Sequence, residues 1–136
     1  RQRQMCIRDS SEKYHRYVAI DGYTMKTNVE ICRKLGYIKA KKGTLISPRT
    51  IQRYPDNKIT LICTGAQGEE QAVLMRIANM EYPYFRLRKG DTVIFSSSVV
   101  PGNERTVQRL KDELYRQKAR VYHYKMPRSI LHCPYQ

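Results

Sequence analysis

The sequence predicts an α/β fold, a mostly parallel sheet with helices on both faces, and three observations carry that expectation. Short apolar runs that break into Gly, Ser, Thr and Asn recur, most clearly at residues 59–69 (ITLICTGAQGE) and 92–103 (TVIFSSSVVPGN). Amphipathic segments of helical period separate them. The resulting alternation of strand and helix is that of parallel strands joined by right-handed crossovers. An apolar run opening into a polar loop is how a buried parallel strand delivers ligand-binding groups to a sheet edge.

The elements follow in order. Residues 17–20 (YVAI) read as a short strand, reached from a basic, polar stretch at 13–16, and Asp21-Gly22 turns the chain. Residues 25–35 have helical spacing: Met25, Val29, Cys32 and Leu35 share a face, Ile31 flanks it, and Gly36 stands where a C-terminal cap would end the helix. Residues 37–58 form a connection in which Lys39, Lys41 and Lys42 precede Gly43, with turns at Pro48 and Pro55-Asp56-Asn57. A strand at 58–63 leads to a helix over 69–79 with Val73, Leu74, Ile77 and Ala78 inward. Residues 85–88 suggest a further short strand, and Lys89-Gly90-Asp91 turns into a strand at 92–95. Asn103 suits the N-cap of a helix reaching about Gln117 with a stripe of Val107, Leu110 and Leu114. Residues 121–124 give the last strand. Residues 1–10 (RQRQMCIRDS) show no period and read as a non-native scar. Residues 11–126 read as one domain, and 127–136 (PRSILHCPYQ) as an aberrant or frame-shifted tail.

Composition narrows the partners. The 136 residues, 40% hydrophobic and 28% charged, suit one modest folded domain rather than a disordered chain. Lys and Arg number 26 against 12 Asp and Glu, a formal charge of +14. That excess favours a polyanion, nucleic acid ahead of an anionic membrane, and it is spread along the chain rather than gathered in a tail. No apolar run reaches the roughly 18 residues of a membrane span. Cys6, Cys32, Cys63 and Cys133 include no Cys-x-x-Cys pair, against a zinc ribbon or a dense disulfide framework. Cys32 and Cys63 read as small buried apolar residues, and a reducing cytoplasm is the simplest setting.

Two loops carry the candidate chemistry. In Thr64-Gly65-Ala66-Gln67-Gly68-Glu69, two glycines three apart between a strand and a helix let the backbone approach an anion, and the helix N-terminus adds N–H donors. No Lys-Ser/Thr follows, so this is no Walker loop, and the third glycine of a dinucleotide fingerprint is missing. An ordinary turn using glycine for tight geometry explains the same residues. Ser96-Ser97-Ser98 offers three hydroxyls at a strand end, and Pro101-Gly102-Asn103 opens a helix that adds a second anion site; a polar loop capping its own helix is the alternative. The three histidines, His15, His123 and His132, are isolated, and a metal needs three or four convergent ligands. Glu69-Glu70 and Asp112-Glu113 read as helix-end or solvated charges rather than an acid–base pair. No nucleophile–base pair is visible, so no catalytic or metal-binding residue is assigned. Tyr82, Tyr84 and Phe85 cluster as a possible stacking platform for bases or as core.

From about Lys13 to Met126 the chain resembles ribonuclease J, of the β-CASP group of metallo-β-lactamase-fold nucleases. The stretches VAIDGYTMKTNVEICRKLGYI, RYPDNKITLICTGAQGEEQAVLMRIAN and GDTVIFSSSVVPGNERTVQRLKDELYR carry the resemblance in collinear order. It implies most of a β-CASP insertion domain, an α/β cap that closes over a lactamase-like domain and forms an RNA channel. It implies a parent protein that cuts RNA internally and degrades it 5′ to 3′ from a 5′-monophosphate, with a pair of zinc ions activating water. By the same resemblance, the Ser96, Ser97, Ser98 loop holds the RNA 5′-phosphate or the adjacent backbone. The loop of Thr64, Gly65, Gln67, Gly68 and Glu69 makes a second contact, and Gly102 and Asn103 lie beside the first.

The departures bear on activity. The family's His-x-His-x-Asp-His motif is absent, PRSILHCPYQ replaces the Asp-Ile-His-x-x-Gly-His segment expected after VYHYKM, and the later His-Gly-Glu is missing. His132 does not substitute. The expectation is a cytoplasmic, zinc-dependent parent ribonuclease, homo-oligomeric, of which this chain binds single-stranded, 5′-monophosphorylated RNA but neither holds metal nor cuts. Two competitors are a stand-alone, non-catalytic α/β nucleotide- or RNA-binding module and, with least support, a complete small hydrolase.

Overall fold

The structure, a computed structural model, describes residues 9–37 and 43–123. The expectations for residues 1–8, for Lys39, Lys41 and Lys42, for Tyr124 and for the tail with His132 and Cys133 lie outside the described residues. The chain divides into two compact units with the boundary between Thr64 and Gly65.

In the first unit, residues 9–13 are helical, so Asp9 and Ser10 belong to an element that the absence of sequence period concealed. Ser11 is buried and its Oγ donates to Thr60 Oγ1 at 3.3 Å. The guanidinium of Arg16 donates to the same oxygen and to the Ile59 carbonyl at 3.1 and 2.9 Å. These bonds tie the basic stretch to the sheet. β1 (Tyr17–Asp21) is the central strand, with β2 (Leu45–Ile46) on one side and β3 (Ile59–Cys63) on the other, both parallel. Val18 and Ala19 are wholly buried there, as a central parallel strand requires. The sequence does not foretell β2: two apolar residues are too short to show a period, and pairing with Val18 and Ala19 makes them a strand.

α1 (Tyr23–Lys34) starts two residues earlier than its apolar spacing indicates. It ends where expected. Gly36 takes φ 74, its N–H donates to the Arg33 carbonyl, and the Tyr37 N–H reaches back to Cys32, a Schellman cap. Met25, Val29 and Cys32 are half-buried, but Leu35, at the C-cap, is exposed. Two 3-10 turns follow β2, Pro48–Arg53 and Asp56–Lys58, with Ser47 capping the first and Ile51 buried beneath it.

The second unit holds α2 (Val73–Ala78), β4 (Thr92–Phe95), α3 (Glu104–Arg116) and β5 (Arg120–His123). β4 and β5 pair in parallel, Phe95 opposite His123. The α/β, parallel character is as expected, but the described strands form two sheets rather than one, because β4 takes β5 as its partner. β5 begins one residue earlier than the sequence suggests. The helix expected over 69–79 shrinks to six residues. Ala72 is extended (ψ 154) after a turn closed by Gly68 N–H on the Gly65 carbonyl, which delays helix initiation. Within α2, Met75 is buried with Val73, Ile77 and Ala78, while Leu74 is half-buried against the core. Residues 85–88 form no strand: Phe85 turns its ring edge-on to Tyr82, and Leu87 packs on the core. Tyr82 is itself 1% exposed and is therefore core rather than a platform for bases.

α3 matches its stripe. Val107, Leu110 and Leu114 are buried to 1% exposure or less and form one cluster with Met75, Ala78 and Phe95. Its end ties back to α2 through Gln117 Nε2 on the Ala78 carbonyl at 2.6 Å. Asn103 occupies the N-cap but its side chain makes no capping bond; the Glu104 carboxylate instead accepts the Gly102 N–H at 2.8 Å. No helix among the described residues is long and apolar enough to cross a membrane.

Candidate nucleic-acid interface

The second unit brings together the parts of the two loops that belong to it. Gln67 lies between glycines in the first loop and reaches the second with both ends of its amide. Its Nε2 donates to the Ser98 carbonyl at 2.7 Å, and its Oε1 accepts the Val100 N–H at 2.9 Å. Each end of the amide makes one bond of that brace, so Gln67 holds the serine loop in place. The sequence-based assignment of Gln67 to RNA contact missed this role. Its only signal was a long amide between two tight-turn glycines.

The glycines serve the same brace. Gly65 has φ 116, and a side-chain carbon there would meet Ala72 Cβ at 2.8 Å. Gly68 has φ 78, and a side-chain carbon would meet Thr106 Cγ2 at 2.7 Å in the first turn of α3. Both are buried. Close packing of the turn against α2 and α3 therefore accounts for them. Thr64 ends the first unit and packs over Gly22, so close that a side-chain carbon on that glycine would lie 2.5 Å from Thr64 Cγ2. Glu69 is exposed.

The serine loop leaves β4 at its C-terminal end, the edge at which open α/β sheets bind ligands. Ser96 and Ser97 are half-buried and Ser98 is exposed. The Ser97 hydroxyl is shielded from solvent and has no hydrogen-bond partner among the described residues. A buried hydroxyl left unpaired costs about 1–3 kcal/mol, so one in a native fold calls for an explanation. At the following helix start, Glu104 takes the Gly102 N–H, so that donor is held by the chain's own carboxylate. Asn103 is half-buried beside it.

At the corresponding edge of the first unit's sheet, Asp21 and Cys63 stand opposite one another on β1 and β3. Asp21 accepts the Gly22 N–H at 2.8 Å and pairs with Lys26 at 2.6 Å. Burial, and then the Asp21 carboxylate, push the Cys63 thiol up to about 12. The thiol stays protonated near neutral pH and is a poor nucleophile. Among the described residues, no group of three or more His, Cys, Asp or Glu side chains is placed to hold a metal ion.

Comparison with known proteins adds the lineage. The family model for the beta-CASP domain of Ribonuclease J matches residues 2–114. A Ribonuclease J of Corynebacterium glutamicum is 46% identical over 99 residues, covering 73% of this chain and 14% of that protein. One of Helicobacter pylori is 37% identical over 80% of this chain and 16% of its own length. Ribonuclease J 1 of Streptococcus pyogenes is 38% identical over 87% of this chain and 21% of its own. The chain thus spans between 14% and 21% of these relatives. With a family model covering most of its length and a parallel α/β fold that agrees, the chain belongs to the ribonuclease J family, within its β-CASP domain.

Proposed function

We propose that this chain is the RNA-gripping part of a ribonuclease of the J type, and that the Ser96–Ser98 loop holds the 5′-monophosphate of single-stranded RNA or the adjacent backbone. The observation that carries the reading is the serine loop itself, three hydroxyl-bearing residues leaving the C-terminal end of β4, with Ser98 exposed and the loop braced by Gln67. Hydroxyl donors to an ionised phosphate make short, strong hydrogen bonds, and a pre-positioned loop makes them without ordering cost. The formal charge of +14 supplies long-range attraction for the polyanion. Membership of the ribonuclease J family supports RNA as the substrate class. Gly65 and Gly68 act by shaping the brace, while Glu69, Gly102 and Asn103 border the site.

The resemblance implies that a zinc pair supplies the hydrolytic water in the parent. The described residues do not fit such a centre. In this reading the chain binds RNA without cutting it, and cleavage resides elsewhere in a cytoplasmic, homo-oligomeric parent. The test is the affinity of the chain for matched RNAs bearing a 5′-monophosphate or a 5′-hydroxyl. The monophosphate is expected to bind several-fold tighter, and Ser96→Ala with Ser98→Ala to erase the difference. Equal affinities in the unsubstituted chain would overturn the reading.

A further inference from the structure

We infer that Arg105 and Arg109, on the outward face of α3, form a second RNA-binding surface that carries the strand away from the serine loop. The inference builds on the reading of that loop as an RNA site. The core stripe of α3 is Val107, Leu110 and Leu114. At 100° per residue, Arg105 and Arg109 lie on the opposite face, and both are exposed. They stand about 6 Å apart along the axis, in the first two turns beyond the serine loop.

The fold gives these two charges nothing to do. Other basic residues of α3 have structural uses: Lys111 sits over the Phe95 ring at 5.6 Å, and Arg116 pairs with Glu113 at 2.7 Å. Neither Arg105 nor Arg109 has an ion-pair partner among the described residues. Asp112, on the same face, is engaged by Gln108 Nε2 at 2.9 Å. Arg105 is the second residue of α3, where the positive end of the helix dipole disfavours a cation. Like charges four residues apart on a helix also repel, by about 0.2–0.5 kcal/mol. Two unpaired guanidinium groups retained against the dipole and against each other suit an external anion. A planar guanidinium grips phosphate through two parallel hydrogen bonds, and successive phosphates of one strand would take one arginine each.

The experiment measures affinity for a single-stranded RNA of about 12 nucleotides at several salt concentrations. It uses the full chain, Arg105→Gln with Arg109→Gln, the same pair changed to Lys, and Arg49→Gln with Arg53→Gln as an exposed control of equal charge. Each phosphate contact on single-stranded nucleic acid contributes about 0.7 to the slope of log affinity against log salt. The Gln pair is therefore expected to reduce the slope by about 1.4. The Lys pair should keep the slope, the control pair should leave it unchanged, and the preference for 5′-monophosphate should survive in all. An unchanged slope in the Gln pair, an equal loss in the control, or an equal loss in the Lys pair would overturn the inference. Loss of 5′-phosphate preference in the unsubstituted chain would instead count against the serine-loop reading and leave the slope result standing.

Discussion

Two strand-to-helix connections on this chain share a topology and differ in chemistry. From β1 to α1 the chain turns through Asp21-Gly22 alone. The carboxylate is consumed at once by the Gly22 N–H and by Lys26, and the turn is internally neutral. From β4 to α3 it runs through residues 96–103, presents three hydroxyls, and is held by a side chain from a distant loop. The helices differ in the same sense: α1 has no fully buried residue, whereas α3 places three in a continuous core. A rigid helix behind a long polar loop can hold hydrogen-bonding groups ready for a ligand; a short, self-satisfied turn has none to give.

The largest effect should come from the helices. Leu110→Ala is expected to destabilise the fold by about 2–5 kcal/mol, because a wholly buried leucine leaves a cavity. Leu35→Ala, at an exposed cap, should change stability by less than about 0.5 kcal/mol. Chemical denaturation reads both, and similar losses would break the contrast between the helices. Next comes the brace. Gly68→Ala forces a side chain onto Thr106 and should cost about 1–3 kcal/mol, whereas Gly102→Ala meets nothing within 4 Å and should cost only about 1 kcal/mol of backbone strain. Comparable thermal shifts for the two glycines would show that the turn is not packed as described.

Smaller effects sharpen the comparison. Ser97→Ala should leave stability unchanged or slightly higher, since it removes an unpaired buried hydroxyl, while weakening the 5′-monophosphate preference. A clear loss of stability would mean that this hydroxyl is already engaged in the free protein. At the other connection, Cys63 should resist alkylation near pH 8 in the folded chain and react once the chain is unfolded, as read by mass spectrometry of the modified peptide. Because its folded value is raised, the unfolded chain releases this proton first. The thiol's contribution to stability is therefore present below 9.0 and is lost as pH rises toward about 12. Cys63→Ala should flatten that alkaline decline. Lys118→Gly changes stability in the other direction: Lys118 caps α3 at φ 60, a conformation glycine takes without strain, so replacement should stabilise by about 1 kcal/mol.

Much of this was legible in the residues. The stripe of Val107, Leu110 and Leu114, the stop at Gly36 and the strand at 92–95 follow from period and local chemistry alone. β2 was not legible, because two residues become a strand only through the pairing of β1. Nor was the short α2, since the turn at Gly65–Gly68 is set by contact with residues far along the chain. The serine loop stood out by composition, but the role of Gln67 did not. A glutamine's partners lie across space, about thirty residues on, and nothing local marks them. Lys118 hid for a different reason: a left-handed cap is read from glycine, and here a lysine takes it, with its N–H on the Tyr115 carbonyl and that of Ala119 on Leu114.

The most direct test of RNA binding by the serine loop is a map of backbone amide chemical shifts as 5′-monophosphorylated RNA is added to the full chain. The largest changes are expected at residues 96–103, reduced with 5′-hydroxyl RNA, with little change at Asp21–Lys26. Changes centred on the β1–α1 turn, or a serine loop indifferent to the 5′ group, would contradict it.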